Sequence, residues 1–247
     1  GDDDRHLLEA MDPASPWKTI GQALRSNGAR RGDIVRVRAG TYNESVETSN
    51  EGVTLLADPQ VIIMAGGENG FLIEHNDITI EGFRIEGARH GIRADRAERL
   101  QIRSNEVVEP SDTGIKITRS SDGIVDSNTV HGAVSRGIHG TDSPSLYLRN
   151  NLVTGSGDWS IQVDTTQGAA VVHGTLVAFN TVAQFGTGGI RLARATGTIR
   201  DNIFFGSGNV GVKTDTAPVD IHHNNIFGPN SLFDRASGQE PRRWSNR

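Results

Sequence analysis

The chain has 247 residues, of which 35% are apolar and 5% aromatic, with a net charge of −5 and a pI near 5.9. This balance gives no global reason to expect nucleic acid or an anionic membrane as a partner, and no apolar run approaches the length of a membrane span. The absence of cysteine excludes disulfides and thiolate metal sites. The apolar content is low for a globular core but suffices for a thin repeat structure.

Residues 1–14 form an acidic segment that we expect to be irregular. Asp2, Asp3 and Asp4 stand in a row, which leaves a Ca²⁺ site open, although a solvated chain end is the favoured interpretation. No other cofactor is expected. A short helix is predicted at about residues 16–27, capped by Ser15 and with Pro16 in its first turn. This helix would cover the N-terminal end of the repeat structure.

Short apolar alternations then predict strands at residues 33–38, 53–55, 61–63, 71–73 and 78–80. From Ile78 to Phe227 one phrase repeats, in which an apolar alternation leads into Asn and a small residue precedes Ile or Val about nine residues later. The Asn positions are Asn105, Asn128, Asn151, Asn180, Asn202 and Asn224, at intervals of 23, 23, 29, 22 and 22 residues. The paired positions are Gly91-Ile92, Gly114-Ile115, Gly137-Ile138, Ser160-Ile161, Gly189-Ile190 and Gly211-Val212.

Self-similarity at this period predicts a solenoid, in which each unit buries its apolar face by stacking on its neighbours. We predict an all-β, single-domain parallel β-helix over residues 15–236, with three short strands per rung and a polar tail at 237–247. The repeated Asn residues are predicted to turn the chain in the left-handed backbone region and to form a ladder of hydrogen bonds. Ordinary turn asparagines are the alternative. The 29-residue interval holds an insertion at residues 165–174, predicted to project as a loop.

These residues carry a resemblance to a known family. The phrase with Asn, a loop and Gly-Ile resembles the right-handed parallel β-helix of the pectin-lyase-like superfamily. So do Ser15-Pro-Trp-Lys-Thr-Ile20, Gly32-Asp-Ile-Val-Arg-Val-Arg38 and Ala39-Gly-Thr-Tyr-Asn-Glu-Ser-Val46, which are similar to the start of many bacterial β-helix polysaccharide lyases. The resemblance covers roughly residues 15–228 and is specific for fold but weak for reaction. It implies a secreted, cell-surface or periplasmic protein, which we expect to be a monomer.

The clearest functional lead is the residue after the Ile or Val of each paired position. These side chains should all point outward on one face, because alternate residues of a strand face opposite ways. We call this set the outward column: Arg93, Lys116, His139, Gln162, Arg191 and Lys213. Like charges on neighbouring strands repel, so the column predicts an anionic ligand. The alternative is a solvated face neutralised by Asp95, Asp164 and Asp215, two residues further along their strands.

The resemblance implies a polysaccharide groove along this face, walled by the preceding loops, with Arg136 and Trp159 at their ends. Trp159 would stack on a sugar ring, or else anchor its loop. For β-elimination of an acidic polysaccharide, the predicted base is Lys116, whose charged form is disfavoured by its neighbours. Either Arg136 or His139 would donate the proton, and Arg93 would hold the uronate carboxylate. The remaining substrate-binding candidates are Trp159, Gln162, Arg191, Lys213, Asp164 and Asp215.

Other functions stay open on this scaffold. Asp164 and Asp215, about 10 Å apart by strand spacing, suggest a hydrolase. The absence of an Asp-Pro-His motif argues against a uronate epimerase, and the absence of a tight Asp cluster on consecutive rungs argues against calcium dependence. A glycan-binding module without catalysis and a surface adhesin are further alternatives. His222 and His223 are predicted to face opposite ways and not to share a metal.

Overall fold

The strands of the computed structural model form three parallel sheets that wind around one axis, and the structure describes residues 1–25, 28–206, 208–215 and 217–235. Each sheet has nine strands, and every third strand along the chain joins the same sheet. The prediction of an all-β parallel β-helix is therefore confirmed. No helix within the described residues is long and apolar enough to span a bilayer.

The strand bounds show how regular the winding is. Sheet A contains β1 (Ile34–Val37), β4 (Thr54–Ala57), β7 (Thr79–Glu81), β10 (Gln101–Arg103), β13 (Ile124–Asp126), β16 (Tyr147–Arg149), β19 (Val172–Ala178), β22 (Ala195–Arg200) and β25 (Val219–His222). Sheet B contains β2 (Gly40–Tyr42), β5 (Val61–Met64), β8 (Arg84–Glu86), β11 (Glu106–Val108), β14 (Thr129–His131), β17 (Leu152–Thr154), β20 (Thr181–Ala183), β23 (Ile203–Phe205) and β26 (Asn225–Phe227). Sheet C contains β3 (Val46–Glu47), β6 (Phe71–Ile73), β9 (Ile92–Asp95), β12 (Ile115–Thr118), β15 (Ile138–Thr141), β18 (Trp159–Asp164), β21 (Gly188–Leu192), β24 (Val210–Thr214) and β27 (Ser231–Arg235).

The core is a stack of aliphatic side chains from all three sheets. In sheet C, Ile92, Ile115 and Ile138 lie opposite one another in register, and each is fully buried. Burying one such side chain contributes about 1.5–3 kcal/mol. Because side chains alternate along each strand, the same register that aligns the core also aligns the outward side chains.

The Asn ladder is confirmed between sheets A and B. The Oδ1 atom of Asn128 accepts hydrogen bonds from the backbone N–H of Asn105 at 3.0 Å and from its Nδ2 at 3.1 Å. The same pair of bonds recurs at each step up to Asn224. All six ladder residues are buried. Their side chains therefore satisfy backbone groups at a turn that water does not reach.

The predicted backbone conformation of these Asn residues is wrong. The left-handed residue is the one before each Asn, as at Ser104 (φ 52°), Ser127 (φ 58°) and Phe179 (φ 58°). The bend is displaced because the Asn must point its amide into the stack while its own N–H reaches the next Asn. A second ladder, which the sequence analysis did not single out, joins sheets C and A, where Ser120 and Ser143 accept backbone N–H bonds from the preceding rung at 3.0 and 3.1 Å.

The predicted capping helix begins later than expected, and a second short helix precedes it. Helix α1 (Leu7–Ala10) lies within the segment expected to be irregular, and helix α2 (Ile20–Leu24) is capped by Thr19 and not by Ser15. The reason is the carboxylate of Asp3, which accepts the N–H groups of Lys18 and Thr19 at 2.8 and 2.9 Å and holds that stretch outside the helix. Residues 26 and 27 of the predicted helix lie outside the described residues.

Asp3 and Glu44 both stabilise this cap. Burial alone raises the pKa of the Asp3 carboxyl, but hydrogen bonds from Thr19 and Lys18 outweigh burial and lower the pKa below its ordinary value. Glu44 accepts the N–H groups of Ile20 and Gly21 at 2.9 Å. Helix α2 packs against β3. Asp3 thus has a structural use, which argues against the Ca²⁺ alternative at this segment.

The insertion after Asp164 is partly strand. Residues 165–171 form the loop, whereas Val172 and the two residues after it belong to β19, so the predicted loop end at residue 174 is wrong. The extra residues lie opposite β22, which has six residues against seven in β19, and a bulge falls between Val172 and Thr175. The loop therefore stands beside the end of β18, next to Asp164. The predicted tail at residues 237–247 lies outside the described residues.

Candidate functional site

The outward column exists as a single file on sheet C. Its members lie opposite one another in the order Arg93, Lys116, His139, Gln162, Arg191, Lys213. They differ in exposure: His139 is 9% exposed and Gln162 2%, while the four cationic side chains are partly exposed. The middle of the column is thus recessed between two cationic ends.

Asp164 is the centre of the recessed part. Its carboxylate oxygens both lie 3.2 Å from Nε2 of His139, and Oγ1 of Thr141 donates to Oδ1 at 3.0 Å. The side-chain amide of Gln162 donates to the other oxygen. Oε1 of Gln162 in turn accepts from Nε of Arg136 at 2.9 Å. Five side chains therefore form one connected polar network on the outer face of the sheet.

The charge on Asp164 is fixed by this network. Burial raises the pKa of its carboxyl, but the hydrogen bond and charge of His139, with hydrogen bonds from Gln162 and Thr141, outweigh burial and hold the pKa below its ordinary value. Asp164 is therefore a carboxylate at neutral pH. Such a group accepts a hydrogen bond from His139 and orients its ring, but it has no proton to donate.

The C-terminal end of the column is neutralised by ion pairs. A guanidinium nitrogen of Arg191 lies 2.9 Å from the carboxylate of Asp215, and Nζ of Lys213 lies 2.6 Å from that of Asp234. Arg136, beside the column, lies 3.2 Å from Asp158. The alternative of a face with internal ion pairs therefore describes this half of the site, as predicted for Asp215.

The N-terminal end is different. Within the described part of the chain, neither Arg93 nor Lys116 forms an ion pair or a side-chain hydrogen bond, and Nε of Arg93 is buried without a partner. Asp95, the predicted neutralising carboxylate, is instead held by Arg119 through contacts of 2.7 and 2.8 Å. Two cations on adjacent rungs, about 4.8 Å apart by strand spacing, are thus left for an external anion.

His90, which was not among the predicted site residues, lies near the charges of Lys116 and Arg93 at this end of the column. The side chain is buried, its Nε2 lies 3.8 Å from Asp112, and its Nδ1 has no partner among the described residues. Burial, together with the charges of Lys116 and Arg93, lowers the pKa of His90 to about 4 against the opposing effect of Asp112. The repeat pattern does not indicate His90, because the equivalent position of the next rung, before Gly114, is occupied by Thr113.

Two residues predicted to contact substrate are buried in the structure. Trp159 is 4% exposed, so neither of its ring faces is open to a sugar. It begins β18 two residues before Ile161 and so shares the inward side of the strand, where Gly188 opposite leaves room for the ring. Gln162, at 2% exposed, links Arg136 to Asp164 and does not face solvent.

No group of three or more His, Asp or Glu side chains is arranged to hold a metal ion anywhere in the described ranges. The prediction that His222 and His223 face opposite ways is wrong, because their Nδ1 atoms lie 3.0 Å apart. His223 has a left-handed backbone (φ 54°), which turns its ring back towards His222. These two imidazoles form a pair at the surface, away from sheet C.

Several solved structures of carbohydrate-related proteins have a similar fold. A polygalacturonase from Erwinia carotovora ssp. carotovora is similar with a TM-score of 0.57 and 12% identity, over 91% of this chain and 79% of that chain. A pectin methylesterase mutant in complex with a hexasaccharide gives 0.50 and 11%, over 94% and 90%. The GH136 lacto-N-biosidase from Eubacterium ramulus gives 0.53 and 10%, over 95% of this chain and 65% of the enzyme.

These identities establish a shared fold and leave the reaction open. No curated protein matches the sequence. The family model described as the right handed beta helix region matches residues 69–226, which is more than half of the chain. The resemblance to the right-handed parallel β-helix of the pectin-lyase-like superfamily is confirmed at the level of fold. The chain belongs to the right-handed β-helix family.

Proposed function

We propose that the outward column binds an acidic, uronate-containing polysaccharide and cleaves it by β-elimination. The observation that carries the proposal is the pair Arg93 and Lys116, two adjacent cations without a carboxylate partner in the described residues, while the cations further along are ion-paired. The Nε–H groups of Arg103 and Arg191 are also buried without an acceptor among the described residues, so the distinguishing feature of Arg93 and Lys116 within the outward column is that their positive charges lack a carboxylate partner there.

A polymer is the ligand that fits the shape of this face. The column runs along the solenoid axis, crossing one strand per rung, and presents side chains at a constant repeat. The same fold carries a polygalacturonase and a pectin methylesterase, so acidic plant and microbial polysaccharides are the first substrates to test. Such polymers occur outside the cytoplasm, which agrees with the expected secreted, cell-surface or periplasmic location.

The chemistry assigns one role to each side chain. Arg93 neutralises the uronate carboxylate, which acidifies the proton on the adjacent carbon. Lys116 first releases its own proton to solvent, and the resulting amine takes the substrate proton; the carbon–hydrogen electron pair becomes a carbon–carbon double bond, and the bond to the glycosidic oxygen breaks. His139 donates a proton to the leaving oxygen, with Asp164 at 3.2 Å from Nε2 to orient the ring. Lys116 and His139 then return to their starting protonation states by exchange with solvent.

His139 is the better of the two proton-donor candidates. Arg136 is held by Gln162 and Asp158, and a guanidinium holds its proton too tightly to be an efficient acid near neutral pH. Hydrolysis by Asp164 and Asp215 is disfavoured because both carboxylates are engaged. Such a hydrolase needs one protonated carboxyl, whereas the pKa of Asp164 is held below its ordinary value and Asp215 is ion-paired with Arg191.

Binding without cleavage is the second candidate, and the burial of His139 supports it. At 9% exposed, this side chain contributes little surface to a polymer lying on the column. In that case Arg93 and Lys116 would hold the uronate chain, and the recessed network would serve only to keep the face rigid.

The test is a screen of pectate, alginate and glycosaminoglycan polymers for ultraviolet absorbance of the unsaturated product. Lys116→Ala should abolish the signal while the circular dichroism spectrum stays unchanged. Lys18→Ala, an exposed lysine beside the N-terminal cap, is the matched control and should retain full activity. Cleavage by Lys116→Ala at the wild-type rate would remove the base assignment. Binding of a polymer by the wild type without any product would establish the second candidate instead.

A further inference from the structure

A second surface feature lies away from the outward column, where strands of sheet B turn towards sheet C. A groove with a volume of about 500 Å³ opens there, and its lining includes Gln184, Phe205, Gly206, Phe227 and Gly228. We call these residues the aromatic groove. None of the residues that line it carries a charge. In this it contrasts with the cationic face of sheet C.

One wall of the groove is an exposed aromatic ridge. Phe205 is 65% exposed and Phe227 54% exposed, and they lie directly opposite each other on β23 and β26. Their rings therefore repeat at the rung spacing of about 4.8 Å. The equivalent positions of the two preceding rungs are occupied by Thr154 and Ala183. The aromatic ridge therefore spans two rungs. Large apolar side chains exposed together on a soluble protein mark an interaction site.

Two glycines, Gly206 and Gly228, keep part of the groove free of side chains. Gly228 has a φ of +92°, and a Cβ added there would lie 2.5 Å from the carbonyl oxygen of Gly206. A Cβ on Gly206 would lie 3.1 Å from the backbone nitrogen of Gln184. The close stacking of the rungs requires glycine at Gly228, and at Gly206 it leaves a Cβ only a tight fit. The two glycines leave an open trough beside the exposed phenylalanine rings.

The chemistry of the lining selects the ligand. An aromatic face offers apolar contact to the C–H surface of a sugar ring, and the exposed side-chain amide of Gln184 offers both donors and an acceptor for hydroxyl groups. The uncharged lining provides no partner for a carboxylate or sulfate, which would lose its hydration on entering the groove. We propose that the aromatic groove binds an uncharged oligosaccharide, independently of the acidic polymer proposed for the outward column.

The experiment measures binding of cellohexaose, mannohexaose, xylohexaose and galactohexaose by isothermal titration calorimetry. At least one should bind the wild-type protein, and Phe205→Ala and Phe227→Ala should each weaken that binding about five- to tenfold. Phe179→Ala, a 51% exposed phenylalanine outside the groove, is the matched control and should bind as the wild type does. All three variants change exposed side chains, so their melting temperatures should stay close to that of the wild type.

Three results would overturn the inference. They are no binding of any neutral hexasaccharide, equal weakening of binding by Phe179→Ala, and loss of neutral-sugar binding in Arg93→Gln. Sedimentation velocity adds a fourth. A wild-type dimer that Phe227→Ala converts to monomer would show that the ridge is a self-association surface. Binding of uronate polymers is measured on the same variants and should be unchanged, so failure of this inference and failure of the proposed function are separate outcomes.

Discussion

Removing one rung of the Asn ladder should destabilise the fold by an amount set by the bonds it breaks. Asn128 accepts the backbone N–H of Asn105 at 3.0 Å and donates from Nδ2 to the carbonyl of Ile102 at 2.8 Å. Asn128→Ala leaves the buried Asn105 N–H without an acceptor, at a cost of about 1–3 kcal/mol, and loses the bond to Ile102, worth about 1 kcal/mol. The expected loss in free energy of unfolding is about 2–4 kcal/mol.

The assay is urea denaturation followed by far-ultraviolet circular dichroism, comparing midpoints at an unchanged slope. Asn225→Ala makes the same chemical change at an exposed position of β26, next to the last ladder residue Asn224, and should shift stability by less than about 0.5 kcal/mol. If Asn128→Ala were no more destabilising than Asn225→Ala, the ladder would contribute nothing beyond ordinary turn formation, and the reasoning would be refuted.

Protonation of His90 should also destabilise the fold, because the pKa of its side chain is about 4 against an ordinary 6.5. The free energy of unfolding should fall as the pH drops below about 6.5, by no more than about 3 kcal/mol. His90→Gln should remove this pH dependence in urea titrations. For Asp95, burial raises the pKa of the carboxyl but its bonds to Arg119 hold it below the ordinary value, so Arg119→Gln should destabilise at neutral pH, with the difference from wild type closing at low pH. Gly188→Ala should lower the melting temperature, since its Cβ would lie 2.2 Å from the ring of Trp159; an unchanged melting point would contradict that packing.

The sequence was sufficient to predict the stacking of the rungs and the side chains that face outward, but not the backbone conformation of the repeated Asn residues or the serine ladder. The interval between successive Asn residues sets the rung, and the alternation after each Gly-Ile sets which side chains face outward. Arg93, Lys116 and His139 could therefore be placed in one file before any coordinates were known. Parallel stacking in register makes this inference strong, because a slip of one residue would bury every outward side chain.

Features that depend on departures from the repeat could not be predicted in the same way. The burial of Trp159 could not be predicted because β18 begins two residues before the position at which β15 begins, and Trp159 pairs with Gly188 of β21. The neutralisation of Lys213 by Asp234 required knowledge of the following rung. His90 is defined by burial and nearby charge rather than by residue type. In each case the deciding information is a contact between rungs that the one-dimensional pattern does not contain.

The most direct test of the site is the affinity of Arg93→Gln for hexameric oligogalacturonate and oligoalginate, measured by calorimetry. Arg36→Gln is the control, because Arg36 is an exposed arginine on sheet A that is paired with Asp58 at 2.7 Å. The account predicts that Arg93→Gln weakens uronate binding about tenfold or more, as loss of a charge-assisted bond implies, while Arg36→Gln binds as the wild type does. Equal affinity of the two variants would contradict the assignment of sheet C as the anion-binding face.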